Sequence, residues 1–172
     1  LGPSDLRKNI ARFASLSNNK SNRALAKILE YRFDLECNYD GGLAICNDFI
    51  NLTFNSHTKH SKILNPLREK LTFRQTLWLS NVTRSFFDYI DNKNSKNEEL
   101  TFNDMSLGNI IFSGAYLLNE RDFNKATKNL SEIAGVHANI LNITQGEALT
   151  LVAIKEDGEF LFDEASIVSK QT

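Results

Sequence analysis

Residues 102–118, FNDMSLGNIIFSGAYLL, place small and polar residues at the head of an apolar run. The spacing of the run predicts a helix, with Ser106, Gly108 and Asn109 at its start. The first N–H groups of a helix have no intrahelical acceptor, so a helix start is either capped by its own side chains or ready to bind an anion. Gly108 would allow close approach of a ligand to the backbone, Asn109 can donate and accept, and Gly114 allows close helix packing. The stretch therefore predicts either a self-capped helix or a phosphate site.

The composition is that of one globular domain. The chain has 172 residues, 41% of them hydrophobic, including 12 Phe, which is enough to bury a core. A net charge of −1 favours neither nucleic acid nor a membrane surface as partner. Residues 1–32 nevertheless carry seven basic side chains against two acidic ones. This local excess suits an anionic small ligand, and it equally suits a solvated helix face.

The residue types used by common catalytic motifs are sparse. Two cysteines, Cys37 and Cys46, do not make a disulfide framework, which predicts reduced thiols and a cytoplasmic protein. His57 and His60 are spaced for one helix face, but without a third ligand they are weak evidence for a metal. The sequence contains no Walker loop, GxGxxG, CxxC or HExxH motif, and no apolar run long enough to span a bilayer.

The pattern along the chain predicts helices first and a β-rich end. An amphipathic helix capped by Ser4 or Asp5 has Leu6, Ile10 and Phe13 on one face, and a second helix runs to about Phe33. NYDGG (38–42) reads as a turn, and 43–54 as strand or helix. One helical pattern covers about 63–90, and 91–99 reads as a surface loop. A helix capped by Asp122 and Gly135 follows, and then three β-rich runs, HANILNI, EALTLVAI and EFLFDEASIV, the last two joined in a hairpin around Asp157-Gly158.

The N-terminal two-thirds offers few strands for a sheet. An α/β domain normally opens with a strand, a glycine-rich turn and a helix, and no such opening is present. Two interpretations remain: a small α+β protein, or part of a larger α/β domain whose first strands lie outside these residues. We favour the second.

Asp5 and Arg7 follow a Gly-Pro turn at the predicted first helix. A carboxylate there is stabilised by the helix dipole, so simple capping is one interpretation. In the other, Asp5 faces a hydroxyl or a metal while Arg7 binds a phosphate.

Four segments, in this order, resemble the CofD-like family of 2-phospho-L-lactate transferases and YvcK-type regulatory proteins, and most of all its uncharacterised branch. They are LGPSDLRKNIARFAS, ILEYRF, SLGNIIFSGAYL and the run from 122 to 167. The resemblance covers about 1–33 and 101–168 within one domain (1–172), and 34–100 match poorly, as a helical insertion would. Three departures stand out: the glycine-rich loop and the Asp-Asp-Gly-Gly segment of the family are absent from this sequence, Ser4 replaces a glycine, and Met105-Ser106 stand where the transferase and YvcK branches tend to have a histidine.

The resemblance implies a three-layer, Rossmann-like α/β fold of which these residues are the central and C-terminal part, and a homodimer. It implies that Arg7, Ser106, Gly108 and Asn109 bind a nucleotide diphosphate or nucleotide sugar, with Asp5 as the catalytic or metal-facing residue. One function is regulatory binding. The alternative is transfer of a phosphate-linked group from a nucleotide diphosphate to a hydroxyl, with Mg²⁺ and without a tightly bound organic cofactor. A fold that has lost its ligand is a third interpretation.

Overall fold

The computed structural model describes residues 3–93, 101–141, 152–162 and 167. Within them the protein is helix-rich with a small two-stranded sheet, an α/β mix. The elements are α1 (Pro3–Ser15), α2 (Lys20–Glu30), α3 (Tyr39–Ile50), α4 (Lys59–Arg68), α5 (Phe73–Lys93), α6 (Leu107–Leu118), α7 (Phe123–Ile133), β1 (Ala153–Ile154) and β2 (Phe160–Leu161). One connected cluster of buried apolar side chains draws on all seven helices.

The packing of α1 on α2 confirms most of the apolar face predicted for the first helix. Leu6 and Ile10 are buried, but Phe13 is half exposed, so its prediction as a core residue is wrong. Ala11 and Ala14 are buried on the same side instead, and small side chains there allow α2 to approach closely. The helix also begins earlier than expected, with Pro3 in its first turn, where proline needs no N–H partner.

The turn predicted at NYDGG (38–42) is wrong, because those residues open α3. The Asn38 side chain accepts the Gly41 N–H at 2.9 Å and caps the helix. Gly42 is needed for packing, since a Cβ there would lie 2.2 Å from the ring of Phe102. The open choice between strand and helix for the following apolar run is settled as helix up to Ile50.

The continuous helix predicted over about 63–90 is divided between α4 and α5. The division comes from a reciprocal pair of side-chain caps at the start of α5. Thr72 Oγ1 accepts the Gln75 N–H at 3.2 Å, and Gln75 Oε1 accepts the Thr72 N–H at 3.0 Å. The predicted loop at 91–99 begins inside α5, and its remainder, 94–99, lies outside the described residues.

The two predicted helices after residue 105 are confirmed. Gly114 brings α6 against the backbone of α5, because a Cβ there would lie 1.8 Å from Val82 O. The Asp122 carboxylate accepts the N–H groups of residues 124 and 125 and so caps α7. At the other end Gly135 takes a left-handed φ of 66°, and Val136 N–H bonds to Ser131 O at 2.8 Å, which closes the helix in a Schellman motif.

The β-rich end is confirmed only at its hairpin. β1 pairs antiparallel with β2 around Gly158, whose φ is 87°. The strand predicted at HANILNI (137–143) is wrong over 137–141, which form no strand, and 142–143 lie outside the described residues. The strand predicted at 147–154 is confirmed at Ala153–Ile154, and 147–151 lie outside the described residues.

The only tryptophan of the sequence joins two helices. Trp78 Nε1, on α5, donates to Asn129 Oδ1, on α7, at 2.6 Å. Across the part of the chain that the structure describes, none of the helices has the length and apolar character needed to cross a bilayer.

Candidate functional site

The start of α6 is held by a short extended segment that follows α2. Phe33 N–H bonds to Met105 O at 2.9 Å, and Leu107 N–H bonds to Tyr31 O at 3.0 Å, so the two backbones run antiparallel. Arg32 adds an ion pair with Asp104, with Nη1 at 3.1 Å from Oδ2. The end of α2 and the start of α6 are therefore fixed to each other, although more than seventy residues separate them in the sequence.

Gly108 packs the start of α6 against both α1 and α2. A Cβ at this position would lie 2.0 Å from Leu29 O and 2.4 Å from Arg7 Cδ. The backbone approach that the sequence predicts for Gly108 is therefore made to the protein itself. The same contact brings Arg7 and Gly108 together, as the predicted site requires.

Arg7 is almost fully buried, with 3% of its surface exposed. Its Nη1 donates to Leu29 O at 2.6 Å, in the last turn of α2, where carbonyl groups lack intrahelical donors. Burial lowers the pKa of Arg7 and the charge of Glu30 opposes that shift. This contact gives Arg7 a structural role at the end of α2, and a role toward phosphate stays a prediction.

Ser106 occupies the N-cap position of α6, as predicted, but its side chain makes no capping bond. Its Oγ is buried and has no hydrogen-bond partner among the described residues. Three of the first N–H groups of α6 have acceptors in the protein: Leu107 N–H bonds to Tyr31 O, and the N–H groups of Asn109 and Ile110 bond to Ser106 O. The Ser106 hydroxyl is thus a buried side-chain group at this helix start that the described residues leave without a hydrogen bond.

Asp5 and Asn109 are the accessible members of the predicted set. Asp5 lies half-buried in the first turn of α1, two residues before Arg7. Asn109 is exposed in the first turn of α6, next to Gly108. We call the group formed by Asp5, Arg7, Ser106, Gly108 and Asn109 the helix-start junction. The Arg7 side chain, from the second turn of α1, lies against Gly108 in the first turn of α6.

A polar pair that the sequence analysis missed lies beneath the junction. The Tyr31 hydroxyl lies 2.7 Å from His60 Nδ1, and Phe33 packs edge-on against both rings. Burial, helped by the charge of Asp34, raises the pKa of Tyr31 to about 12, so its hydroxyl keeps the proton at neutral pH. Burial also lowers the pKa of His60. No sequence pattern indicated that Tyr31 would contact His60, because the contact depends on the packing of α4 beside α2.

The described residues offer few metal ligands at the two positions considered from the sequence, the His57 and His60 pair and Asp5. His57 precedes α4 and His60 lies within it, so the two do not share a helix face. Among the described residues no group of three or more His, Cys, Asp or Glu side chains could hold a metal ion. Mg²⁺ is commonly bound by one or two carboxylates together with phosphate oxygens of a ligand. Asp5 alone therefore fits Mg²⁺ only in company with a phosphate-bearing ligand.

The chain was compared with known proteins at three levels. No family model, no curated protein and no solved structure gives a significant match. The resemblance to the CofD-like family therefore rests on the four sequence segments and their order.

Proposed function

We propose that this chain binds a small ligand carrying a nucleotide diphosphate at the helix-start junction, in a regulatory role in which no bond is broken. The observation that carries the proposal is the contact of Arg7, on α1, with Gly108, on α6, across about a hundred residues of sequence. It places the side chain of Arg7, from the second turn of α1, against the first turn of α6, and a negative ligand is stabilised at a helix start.

The residues of the junction have two different roles in the proposed binding: some contact the ligand, and others hold the site in place. Ser106 brings a buried hydroxyl without a partner among the described residues, which could bond a phosphate oxygen if the ligand displaces its neighbours. Asn109 is exposed and offers both a donor and an acceptor. Arg7 and Gly108 act differently, since their contacts with Leu29 hold the junction in shape.

The proposal includes a larger Rossmann-like domain of the three-layer CofD type, and its dimer, as the setting of these helices. What supports it is the order of the resembling segments. A second support is the number of large apolar side chains that the described residues leave half exposed or more. The most exposed among them are Leu16, Leu35, Phe73, Phe162, Ile154 and Leu141. Additional strands or a second copy would cover such surface.

A thermal-shift screen of the chain against GDP, UDP-sugars, NAD(P) and a deazaflavin, each with and without Mg²⁺, tests the binding. A ligand at a hundred times its Kd adds about 2.7 kcal/mol of stability, which raises Tm by roughly 5–11 °C for a chain of this size. We expect the shift to disappear in Asn109→Ala. Asn47→Ala, an exposed asparagine on α3, is the matched control and should keep it. Absence of a shift with every ligand, or an equal loss in both variants, would contradict the proposal.

The transferase alternative is favoured by one feature, the half-buried Asp5 carboxylate in the first turn of α1. Phosphoryl-type transfer needs charge neutralisation and a positioned acceptor, which one carboxylate could assist. The two functions separate in Asp5→Asn. A transferase loses Mg²⁺-dependent turnover in this variant, whereas a binding protein shows no turnover in the parent chain either.

A further inference from the structure

A second candidate site lies along α2 from the helix-start junction, and its α2 residues, from Lys20 to Lys27, come nine to two residues before Leu29, which is about 14 to 3 Å at 1.5 Å per residue. It is a groove of about 360 Å³ between α2 and the end of α4. We call it the basic groove. Its lining is entirely basic or apolar: Lys20, Arg23, Ala24, Lys27, Leu67 and Lys70. Among the residues that the structure describes, no carboxylate lines it.

The fold concentrates the four cations there. Lys20, Arg23 and Lys27 are spaced three and four residues apart, so they share one face of α2. Lys70 joins them from the turn after α4, where its N–H bonds to Leu67 O at 3.1 Å. Arg23 is half-buried and donates from Nη1 to Ser17 O at 2.7 Å, which fixes the guanidinium before any ligand arrives.

Within residues 3–93, 101–141 and 152–162, no carboxylate forms an ion pair with a cation of this cluster. The ion pairs of the described residues join Arg32, Lys59, Lys125 and Lys155 to acidic partners, and none involves a cation of the groove. Like charges at these helical spacings repel one another. An anion in the groove would offset that repulsion, so anion binding should stabilise the folded protein.

We propose that the basic groove binds a small phosphate-bearing anion, with pyrophosphate as its simplest form. The volume suits a small molecule, since ligand pockets begin at about 300 Å³. Ala24 and Leu67 give it an apolar floor of limited extent. A long polyanion would need an extended basic surface, and the net charge of the whole chain is −1. The site is separate from the helix-start junction and does not depend on the function proposed there.

Calorimetric titration of the whole chain with pyrophosphate, at constant ionic strength, tests the proposal. We expect binding, weakened about tenfold or more in Lys27→Gln/Lys70→Gln, because charged hydrogen bonds contribute strongly to anion affinity. Both lysines are exposed, so the fold should be unaffected, and the single variants give the answer if the double variant unfolds. Lys62→Gln, which removes an exposed lysine of α4 outside the groove, should leave the affinity unchanged.

Three outcomes would overturn the proposal. They are an absence of pyrophosphate binding, an equal loss in Lys62→Gln, and binding of a single-stranded oligonucleotide in place of pyrophosphate. Asn109→Ala should leave pyrophosphate binding unchanged, and Lys27→Gln/Lys70→Gln should leave nucleotide binding at the helix-start junction unchanged. Failure of one proposal is therefore distinguishable from failure of the other.

Discussion

Replacing Gly108 with alanine tests the packing that forms the helix-start junction. The added Cβ would lie 2.0 Å from Leu29 O, and protein Cβ atoms essentially never come closer to a neighbour than 3.0 Å. The start of α6 would have to move away from α2 by about 1 Å. Arg7 Cδ, at 2.4 Å, would also have to retreat, which disturbs the 2.6 Å bond from Arg7 Nη1 to Leu29 O.

The free-energy effect follows from three contributions of different sign. Alanine is a better helix former than glycine by about 1 kcal/mol, which favours the variant. Overpacking against a backbone carbonyl costs about 1–3 kcal/mol, and loss of a charged hydrogen bond costs about 1.5–3 kcal/mol. We expect Gly108→Ala to lower the free energy of unfolding by about 1.5–5 kcal/mol.

Urea unfolding followed by far-ultraviolet circular dichroism measures this difference. With a slope of about 2 kcal/mol per molar urea, the midpoint should fall by roughly 0.8–2.5 M. Asn109→Ala, one residue along and exposed, should change the free energy of unfolding by no more than about 0.5 kcal/mol. If Gly108→Ala is as stable as the parent chain, or gains the 1 kcal/mol of helix propensity, the described contact between α6 and Leu29 is wrong.

The structure also predicts the effects of three other substitutions on stability. Gly114→Ala puts a Cβ 1.8 Å from Val82 O, so overpacking of about 1–3 kcal/mol, less about 1 kcal/mol of helix propensity, should lower the free energy of unfolding by up to about 2 kcal/mol, and a higher urea midpoint would contradict the close approach of α5 and α6. Ser106→Ala removes a hydroxyl that caps nothing, so the usual loss of about 1 kcal/mol for an N-cap serine should be absent, and finding that loss would show that the hydroxyl is bonded. Burial lowers the pKa of His60 in the folded protein, so the unfolded chain binds a proton at this side chain more tightly. The free energy of unfolding should therefore fall as the pH drops below 6.5, the ordinary pKa of histidine. His60→Gln should remove this part of the pH dependence in urea titrations between about pH 7 and pH 5.

Much of the helical fold could be predicted from local signals. Asp122 and Gly135 bracket α7 because a carboxylate at one end and a left-handed glycine at the other satisfy orphan backbone groups within a few residues. The hairpin around Gly158 was equally local. The predictions that failed depended on partners distant in sequence. NYDGG has the composition of a turn, but Gly42 is there to accommodate Phe102, which no local pattern reveals.

The candidate site was predictable as a set of residues and less so in its contacts. The family resemblance implied one site for Arg7 and Gly108, and in the structure the Arg7 side chain lies next to Gly108, while ligand binding by this set stays a prediction. Their mutual contact through Leu29 could not be predicted, because it depends on the crossing of three helices. The basic groove shows the same limit: the excess of positive charge in residues 1–32 was visible, whereas the contribution of Lys70 required the packing of α4 beside α2.

The bond between Trp78 and Asn129 gives the protein an optical reporter of a single interface. Because the sequence has one tryptophan, emission excited selectively at the indole originates from the contact of α5 with α7 alone. Detachment of α7 would expose the indole to water and shift its emission to longer wavelength, while most of the helical signal stayed in place. A red shift that precedes the loss of helicity on heating would therefore identify α7 as the first part of the helical body to separate.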